Sequence, residues 1–153
     1  MILLIGFLFM VFIYVGVISM LVGIFPAAVF LNLSSLLLLI VTLTFYLIVS
    51  KSGSIIGRYF KSSFKKEYNY SKIELENLGT AIKNIIKFNI AVGIAAFVIF
   101  IIAALYFLDS PEHFGPNLAN CLISVVYAIT VSYFIFFPVQ AWAENKINEL
   151  NGN

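Results

Sequence analysis

The sequence predicts an all-α membrane protein with four transmembrane helices and a short, basic, helical loop on the cytoplasmic side. Its 153 residues are 62% hydrophobic and 10% charged, with a mean hydropathy of +1.05, whereas soluble domains contain about 25% charged residues. No charged side chain precedes Lys51, and each span requires about 20 apolar residues. One compact membrane domain is therefore expected over residues 1–153.

The first apolar block is long enough for two spans with a break between them. Fifty helical residues would extend about 75 Å, against about 30 Å of hydrocarbon, and Gly23 and Pro26 are suited to interrupt the helix. The first span is predicted at residues 2–22 and the second at residues 32–50. A cleaved signal peptide is the alternative for the N-terminus, but its apolar region would be shorter and would follow a basic residue.

The next segment, residues 51–87, contains eight basic and three acidic residues, a formal charge of +5. Because short basic loops stay on the cytoplasmic side, both termini are predicted to be cytoplasmic. Ser71 and Glu74 have the spacing of a capping box, and the apolar residues that follow recur at helical spacing. We therefore expect an amphipathic helix that leads into the third span. The charge is explained by topology and attraction to anionic headgroups, since no nucleic-acid recognition motif accompanies it.

The remaining chain is predicted to form two spans joined by an outer turn. That turn carries two acidic residues and no Lys or Arg, as expected on the side opposite the basic loop. Trp142 at one end of the bundle, with Tyr106 and Phe107 at the other, is typical of interfacial anchoring. The predicted segments are the third span at residues 88–108, the turn at 109–117, the fourth span at 118–141 and a helical cytoplasmic tail at 142–153.

None of the four predicted spans contains Asp, Glu, Lys, Arg or His. Ionisable residues inside the membrane are the usual carriers of protons and ions, so this chain has no titratable relay of its own. The third and fourth spans contain a set of small or weakly polar residues, and residues of this kind allow helices to approach closely. They either pack the third span against the fourth or against a neighbouring subunit, or surround a helix of another protein that carries the missing carboxylate. They are Gly93, Ala96, Ala103, Asn117, Cys121, Ser124, Ala128 and Ser132.

The residues typical of an enzyme or a metal site are missing from the sequence. His113 is the single histidine, and no Cys or clustered carboxylate lies at ligand spacing from it. The serines have no His base on the same aqueous face, and the glycines form no phosphate-binding loop. The lone Cys121 cannot form an internal disulfide. The sequence therefore predicts a protein that is not an enzyme and has no cofactor.

Several short motifs occur in a consistent order along the chain: Phe30 to Leu37, Gly93 to Ala96, Leu108 to Pro116, Ser124 to Ala128 and Phe136 to Ala141. Their order and spacing resemble the MotA/TolQ/ExbB proton-channel family, and the MotA branch in particular. The distance from Tyr127 and Ala128 to Pro138 matches the spacing of two MotA motifs near the inner end of the fourth span. The resemblance covers most of the chain through short, degenerate motifs.

The resemblance implies a stator-type subunit of an ion-driven rotary motor in the inner membrane. Such subunits form a homopentamer around a dimer of a single-span MotB/ExbD-like protein, whose helix carries the ion-binding Asp. The transported ion would be H⁺ or Na⁺, and Tyr127 and Pro138 would shape the fourth span. The positions expected to line the pore or contact the partner are Gly93, Ala96, Phe97, Phe100, Cys121, Ser124, Val125 and Ala128.

The chain departs from the family pattern in two respects. The pore-lining hydroxyls of the family fall at Phe97 and Val125 and its third-span proline near Ile90, so Ser124 supplies the oxygen or conduction is weak, rerouted or absent. The long cytoplasmic insertion of flagellar MotA is reduced to residues 51–87, so a conventional torque contact is not expected. Two alternatives stay open: a non-conducting membrane scaffold or assembly protein with the same bundle, and an unrelated four-span transporter subunit.

Overall fold

The computed structural model describes residues 33–63, 70–106, 108 and 111–152, and every element within these ranges is helical. The predicted first span, residues 2–22, lies outside the described residues. The all-α class is confirmed for the part described. The elements are α1 Leu33–Val49, α2 Ser52–Ser63, α3 Lys72–Tyr106, α4 Pro111–Thr130, a π-helical segment Val131–Phe136, and α5 Phe137–Asn151.

Two described helical stretches, Lys72–Tyr106 and Phe114–Asn151, are long and apolar enough to cross a bilayer. A third candidate arises when α1 and α2 are counted together as one broken span, with a bend of 94° between them. α1 coincides with the predicted second span; the first long stretch covers the predicted third span up to Tyr106, and the second contains the predicted fourth span. The described residues thus carry two or three candidate spans, and the total of four stays a prediction.

α3 is one continuous helix of 35 residues, in agreement with the predicted amphipathic helix that leads into the third span. The backbone N–H of Ser71 donates to Glu74 Oε2 at 3.0 Å, and the N–H of Glu74 donates to Ser71 Oγ at 3.3 Å. These two reciprocal bonds form the predicted capping box. At about 1.5 Å per residue the helix is about 52 Å long, so its polar N-terminal part extends beyond about 30 Å of hydrocarbon.

The turn between α3 and α4 is shorter than the sequence predicts. Residues 109–117 are predicted as a turn, but α4 begins at Pro111. Proline is well suited to the first position of a helix, where its missing N–H breaks no bond, and Glu112 in the first turn interacts favourably with the helix dipole. At the other end the predicted helical tail is present, since α5 runs to Asn151.

α3 is the central element of the bundle, in contact with α1, α2, α4, the π-helical segment and α5. α4 follows α3 after a short connection and runs antiparallel to it, so residues early in α3 face residues late in α4. α5 packs against the polar N-terminal part of α3, and α2 packs there as well. The helices therefore meet in two regions, one between α3 and α4 and one at the polar end of α3.

Candidate functional site

A row of small buried residues forms the contact between α3 and α4, and we call it the small-residue seam. Its α3 members are separated by four and three residues and its α4 members by three and four, so each set lies on one face of its helix. Of the predicted face on the fourth span, Cys121, Ser124, Ala128 and Ser132 are buried and Asn117 is half-buried. The seam consists of Asn89, Gly93 and Ala96 on α3, Cys121, Ser124 and Ala128 on α4, and Ser132 in the π-helical segment.

The closest approach of the two helices is at Gly93. A Cβ atom placed on Gly93 would lie 2.4 Å from the Cβ of Ala128 and 3.5 Å from the backbone oxygen of Ser124. The first distance is shorter than real carbon contacts allow, so only glycine fits while the helices keep this separation. Small residues bring helices together in this way in membranes, where van der Waals packing replaces the hydrophobic effect as the driving force.

The polar atoms of α4 in the seam are satisfied within the helix itself. The hydroxyl of Ser124 donates to the backbone oxygen of Cys121 at 2.8 Å, and the Cys121 thiol lies 3.2 Å from the backbone oxygen of Asn117. The sequence predicts Ser124 as the residue that supplies an oxygen to the pore. The structure places it inside the α3–α4 contact, where 3% of its surface is exposed, and its role beside a pore stays a prediction.

Asn89 is the residue of the seam that the sequence reasoning missed. Its side-chain Nδ2 donates to the backbone oxygen of Ala128 at 2.8 Å and to Ser132 Oγ at 2.9 Å, which ties α3 to the end of α4. Its Oδ1 is buried and accepts no hydrogen bond from the residues that the structure describes. An unsatisfied buried oxygen costs about 1–3 kcal/mol. The sequence signal that could have identified Asn89 is its position four residues before Gly93, on the same face of α3.

The π-helical segment lies directly before Pro138. The N–H of Phe137 donates to the backbone oxygen of Ser132, five residues earlier, where an α-helix would bond four residues apart. Proline has no N–H and its ring clashes with the carbonyl four residues earlier, so a wider turn before Pro138 accommodates it without a break. Ser132, the acceptor for Asn89, lies in this wider turn. The sequence predicts that Pro138 shapes the fourth span, and in the structure the wider π-helical turn comes just before this proline.

The other predicted site residues lie at the margin of the seam. Phe97, Phe100 and Val125 are half-buried, and Tyr127 is half-buried on α4. Phe97 lies one turn after Gly93, and Val125 lies almost one turn before Ala128. Because the helices are antiparallel, both are at nearly the same height, and helical periodicity puts them on the same flank. The eight residues predicted to line the pore or contact the partner therefore separate into five small buried ones and three larger, half-buried ones.

A second buried region surrounds the polar N-terminal part of α3, and we call it the aromatic cluster. The Trp142 ring centroid lies 5.2 Å from that of Tyr59 and 5.4 Å from that of Tyr70. Trp142 is predicted as an interfacial anchor, but its partners on α2 and before α3 could not be identified from spacing alone. The buried core of this cluster is Tyr59, Leu75, Leu78, Ile82 and Ala143.

The seam is lined by uncharged residue types. Among the described residues no group of three or more His, Cys, Asp or Glu side chains could hold a metal ion, and the ion pair between Lys146 and Glu149 lies on α5, outside the seam. The polar side-chain groups of the seam are one amide, two hydroxyls and one thiol. Such groups position helices and form hydrogen bonds, and none of them belongs to an Asp, Glu, Lys, Arg or His side chain.

Comparison of the chain with models of protein families, with curated proteins and with solved structures gave no match.

Proposed function

We propose that the chain is a stator-type subunit of an ion-driven motor, forming a homopentamer around a dimer of a MotB/ExbD-like protein in the inner membrane. The observation that carries the proposal is the close α3–α4 pair. It contains no Asp, Glu, Lys, Arg or His in its apolar part, and Phe97 and Val125 lie half-buried on one flank of it. A helix pair of this kind can form the wall of a pathway but needs an acid from another protein.

The two long helical stretches support this proposal further. Both are apolar in one part and polar in another, and their polar parts are joined by the aromatic cluster, so the helices extend as one unit beyond the bilayer. The preference of short basic loops for the cytoplasmic side supports a cytoplasmic location for this end. A rigid extension of this kind could transmit movement of the bundle to a partner there.

The partner's carboxylate is the group that distinguishes this proposal in an experiment. The chain and its single-span partner are co-purified and reconstituted in vesicles, and proton and sodium flux are measured. Flux that disappears when the partner's intramembrane Asp is replaced by Asn is the expected result. Particle images of the same material should show five copies of this chain around a central partner. A single bundle with no channel between copies contradicts the proposal, and so does ion flux that is unchanged when the Asp is replaced by Asn.

A non-conducting scaffold is the second candidate, because the flank residues Phe97, Phe100 and Val125 have no side-chain hydrogen-bonding atom. Val125→Thr places a hydroxyl at the position where the resemblance expects one, and Val126→Thr, on the neighbouring exposed position, is the matched control. Under the stator proposal Val125→Thr raises ion flux and Val126→Thr leaves it unchanged. Under the scaffold proposal neither variant conducts, while the complex with the partner stays intact.

A further inference from the structure

The chain turns sharply between α1 and α2. The two helices meet at 94°, and Lys51 in the bend has a φ of 55°, in the left-handed region that non-glycine residues rarely occupy. Local hydrogen bonds hold this conformation: the Ser52 N–H donates to Ser50 Oγ at 3.3 Å, and Ser54 Oγ donates to the Lys51 backbone oxygen at 2.8 Å. If α1 crosses the bilayer, as the sequence predicts for residues 32–50, a bend of 94° directs α2 along the membrane surface.

An open notch lies at this bend, and its lining is divided between the two helices. Thr44, Leu47 and Ile48 belong to the end of α1, and Lys51, Gly53 and Ser54 belong to the bend and the start of α2. The α1 side is mostly hydrocarbon, and the α2 side carries a cation and a hydroxyl. The notch therefore lies where acyl chains end and headgroups begin.

The notch continues along α2 as a basic face. Ser54, Arg58 and Lys61 are spaced by four and three residues, so they lie on one side of α2, and Lys51 lies in the bend just before this helix; all four are exposed. The opposite side, with Ile55 and Tyr59, packs toward α3. None of the three basic side chains pairs with a carboxylate in the described ranges. Three unpaired cations thus share one surface with the notch.

We propose that the notch and the basic face of α2 bind the headgroup of an anionic phospholipid. Lys51 and Ser54 would contact the phosphate, Arg58 and Lys61 would attract the negative surface around it, and the acyl chains would lie along Leu47 and Ile48. Charge complementarity selects an anionic lipid, because basic side chains gain from the negative surface potential of a leaflet. The hydrocarbon wall favours a lipid over a soluble phosphate. This site is independent of whether the assembly conducts ions.

The test is lipid retention, measured by native mass spectrometry of the protein released from detergent with equal amounts of phosphatidylglycerol and phosphatidylcholine. The wild-type chain should retain phosphatidylglycerol preferentially. One basic side chain near an anionic surface changes binding by about fivefold, so the triple variant Lys51→Gln/Arg58→Gln/Lys61→Gln should lose at least about tenfold in retention. The matched control, Lys72→Gln/Lys83→Gln/Lys87→Gln, removes the same charge from exposed positions of α3 and should retain the lipid.

Two further measurements keep the outcome clear. If the triple variant fails to fold, as judged by Trp142 fluorescence, the double variant Arg58→Gln/Lys61→Gln leaves the bend intact and should still lose several-fold in retention. Excess glycerol 3-phosphate, a soluble headgroup, should not displace the lipid. Equal retention of both lipids, equal loss in the two triple variants, or displacement by glycerol 3-phosphate each overturns the proposal. Unchanged lipid retention in the α2 variant would also overturn the proposal and would favour an acidic protein as the partner of the basic face.

Discussion

The small-residue seam and the aromatic cluster hold the same helix, α3, by different means. In the seam, α3 meets α4 through glycine, alanine and one asparagine, and a Cβ on Gly93 would overlap Ala128. In the aromatic cluster, α3 meets α2 and α5 through leucine, isoleucine, tyrosine and tryptophan. The seam lies among apolar residues that can face lipid, whereas the cluster lies among Lys72, Glu74 and Glu76.

The difference follows from the solvent around each region. Burying a large side chain stabilises a contact in water by about 1.5–3 kcal/mol. The same burial gains little in lipid, where close packing and hydrogen bonds between helices take over. Each region has its own reporter, because Cys121, the single cysteine, lies in the seam and Trp142, the single tryptophan, lies in the cluster. Thiol labelling and tryptophan fluorescence can therefore follow the two regions separately.

The largest effect is expected from Leu75→Ala in the aromatic cluster. Leu75 is fully buried, and truncation of a buried leucine costs about 2–5 kcal/mol through lost burial and a residual cavity. Thermal unfolding followed by Trp142 fluorescence should shift to lower temperature. Ile73→Ala, two residues away and 70% exposed, is the control and should change stability by less than about 0.5 kcal/mol. Equal shifts for both variants would mean that the cluster does not stabilise α3.

Gly93→Ala should open the seam at a cost of about 1–3 kcal/mol, because the added methyl overlaps Ala128 and the helices must separate. The labelling rate of Cys121 by a thiol reagent should rise on mild heating, with little change in Trp142 fluorescence. Gly79→Ala is the matched control on the same helix. Its added methyl meets no atom within 4 Å, so it should stabilise α3 by about 0.5–1 kcal/mol. Slower labelling in Gly93→Ala would refute the close contact.

Ser71→Ala should weaken the start of α3 by about 1 kcal/mol, because it removes one half of the capping box with Glu74. Hydrogen exchange of the backbone amides at Ile73 and Glu74 should accelerate, while exchange in the seam stays unchanged. Glu76→Gln, an exposed change in the same turn, is the control and should leave these amides as they are. Faster exchange throughout α3 would show that the two regions unfold together.

The smallest effect concerns the hydrogen bond between Asn89 and Ser132. A double-mutant cycle of Asn89→Leu and Ser132→Ala should give a coupling of about 0.6 kcal/mol, the average for such bonds between membrane helices. Asn89→Leu with Ser124→Ala is the control cycle, because Ser124 donates to Cys121 and not to Asn89. The control should show no coupling beyond error. A larger coupling energy in the control cycle than in the test cycle would show that Asn89 does not bond to Ser132.

Much of the fold could be predicted from local patterns. The capping box at Ser71 and Glu74 marks the start of α3, and the helical spacing of Cys121, Ser124, Ala128 and Ser132 predicts a shared face. The start of α4 was predicted too late, because Pro111 and Glu112 resemble turn residues as much as a helix start. A proline before an acidic residue fits both, and only the hydrogen-bonded backbone decides between them.

The sequence predicted part of the candidate site. It did not predict which residues on different helices contact each other. The sequence shows which positions are small, but it cannot show that the helix facing Gly93 is α4 of the same chain. It also gives no indication that Asn89 bonds to Ser132, 43 residues away. Such bonds depend on the crossing of two helices and on the wider turn before Pro138, and neither has a local signature.

The sequence by itself determined that the chain is helical and suited to a bilayer, and that its predicted spans carry no ionisable group, because hydropathy and charge act locally along the chain. The tertiary structure decided how the spans are used. It placed the small residues in one intrachain contact, brought Tyr59 and Trp142 together across two helices, and bent α1 against α2 beside the basic face. The first two outcomes depend on surfaces that residues far apart in sequence supply, whereas the bend is held by local hydrogen bonds around Lys51.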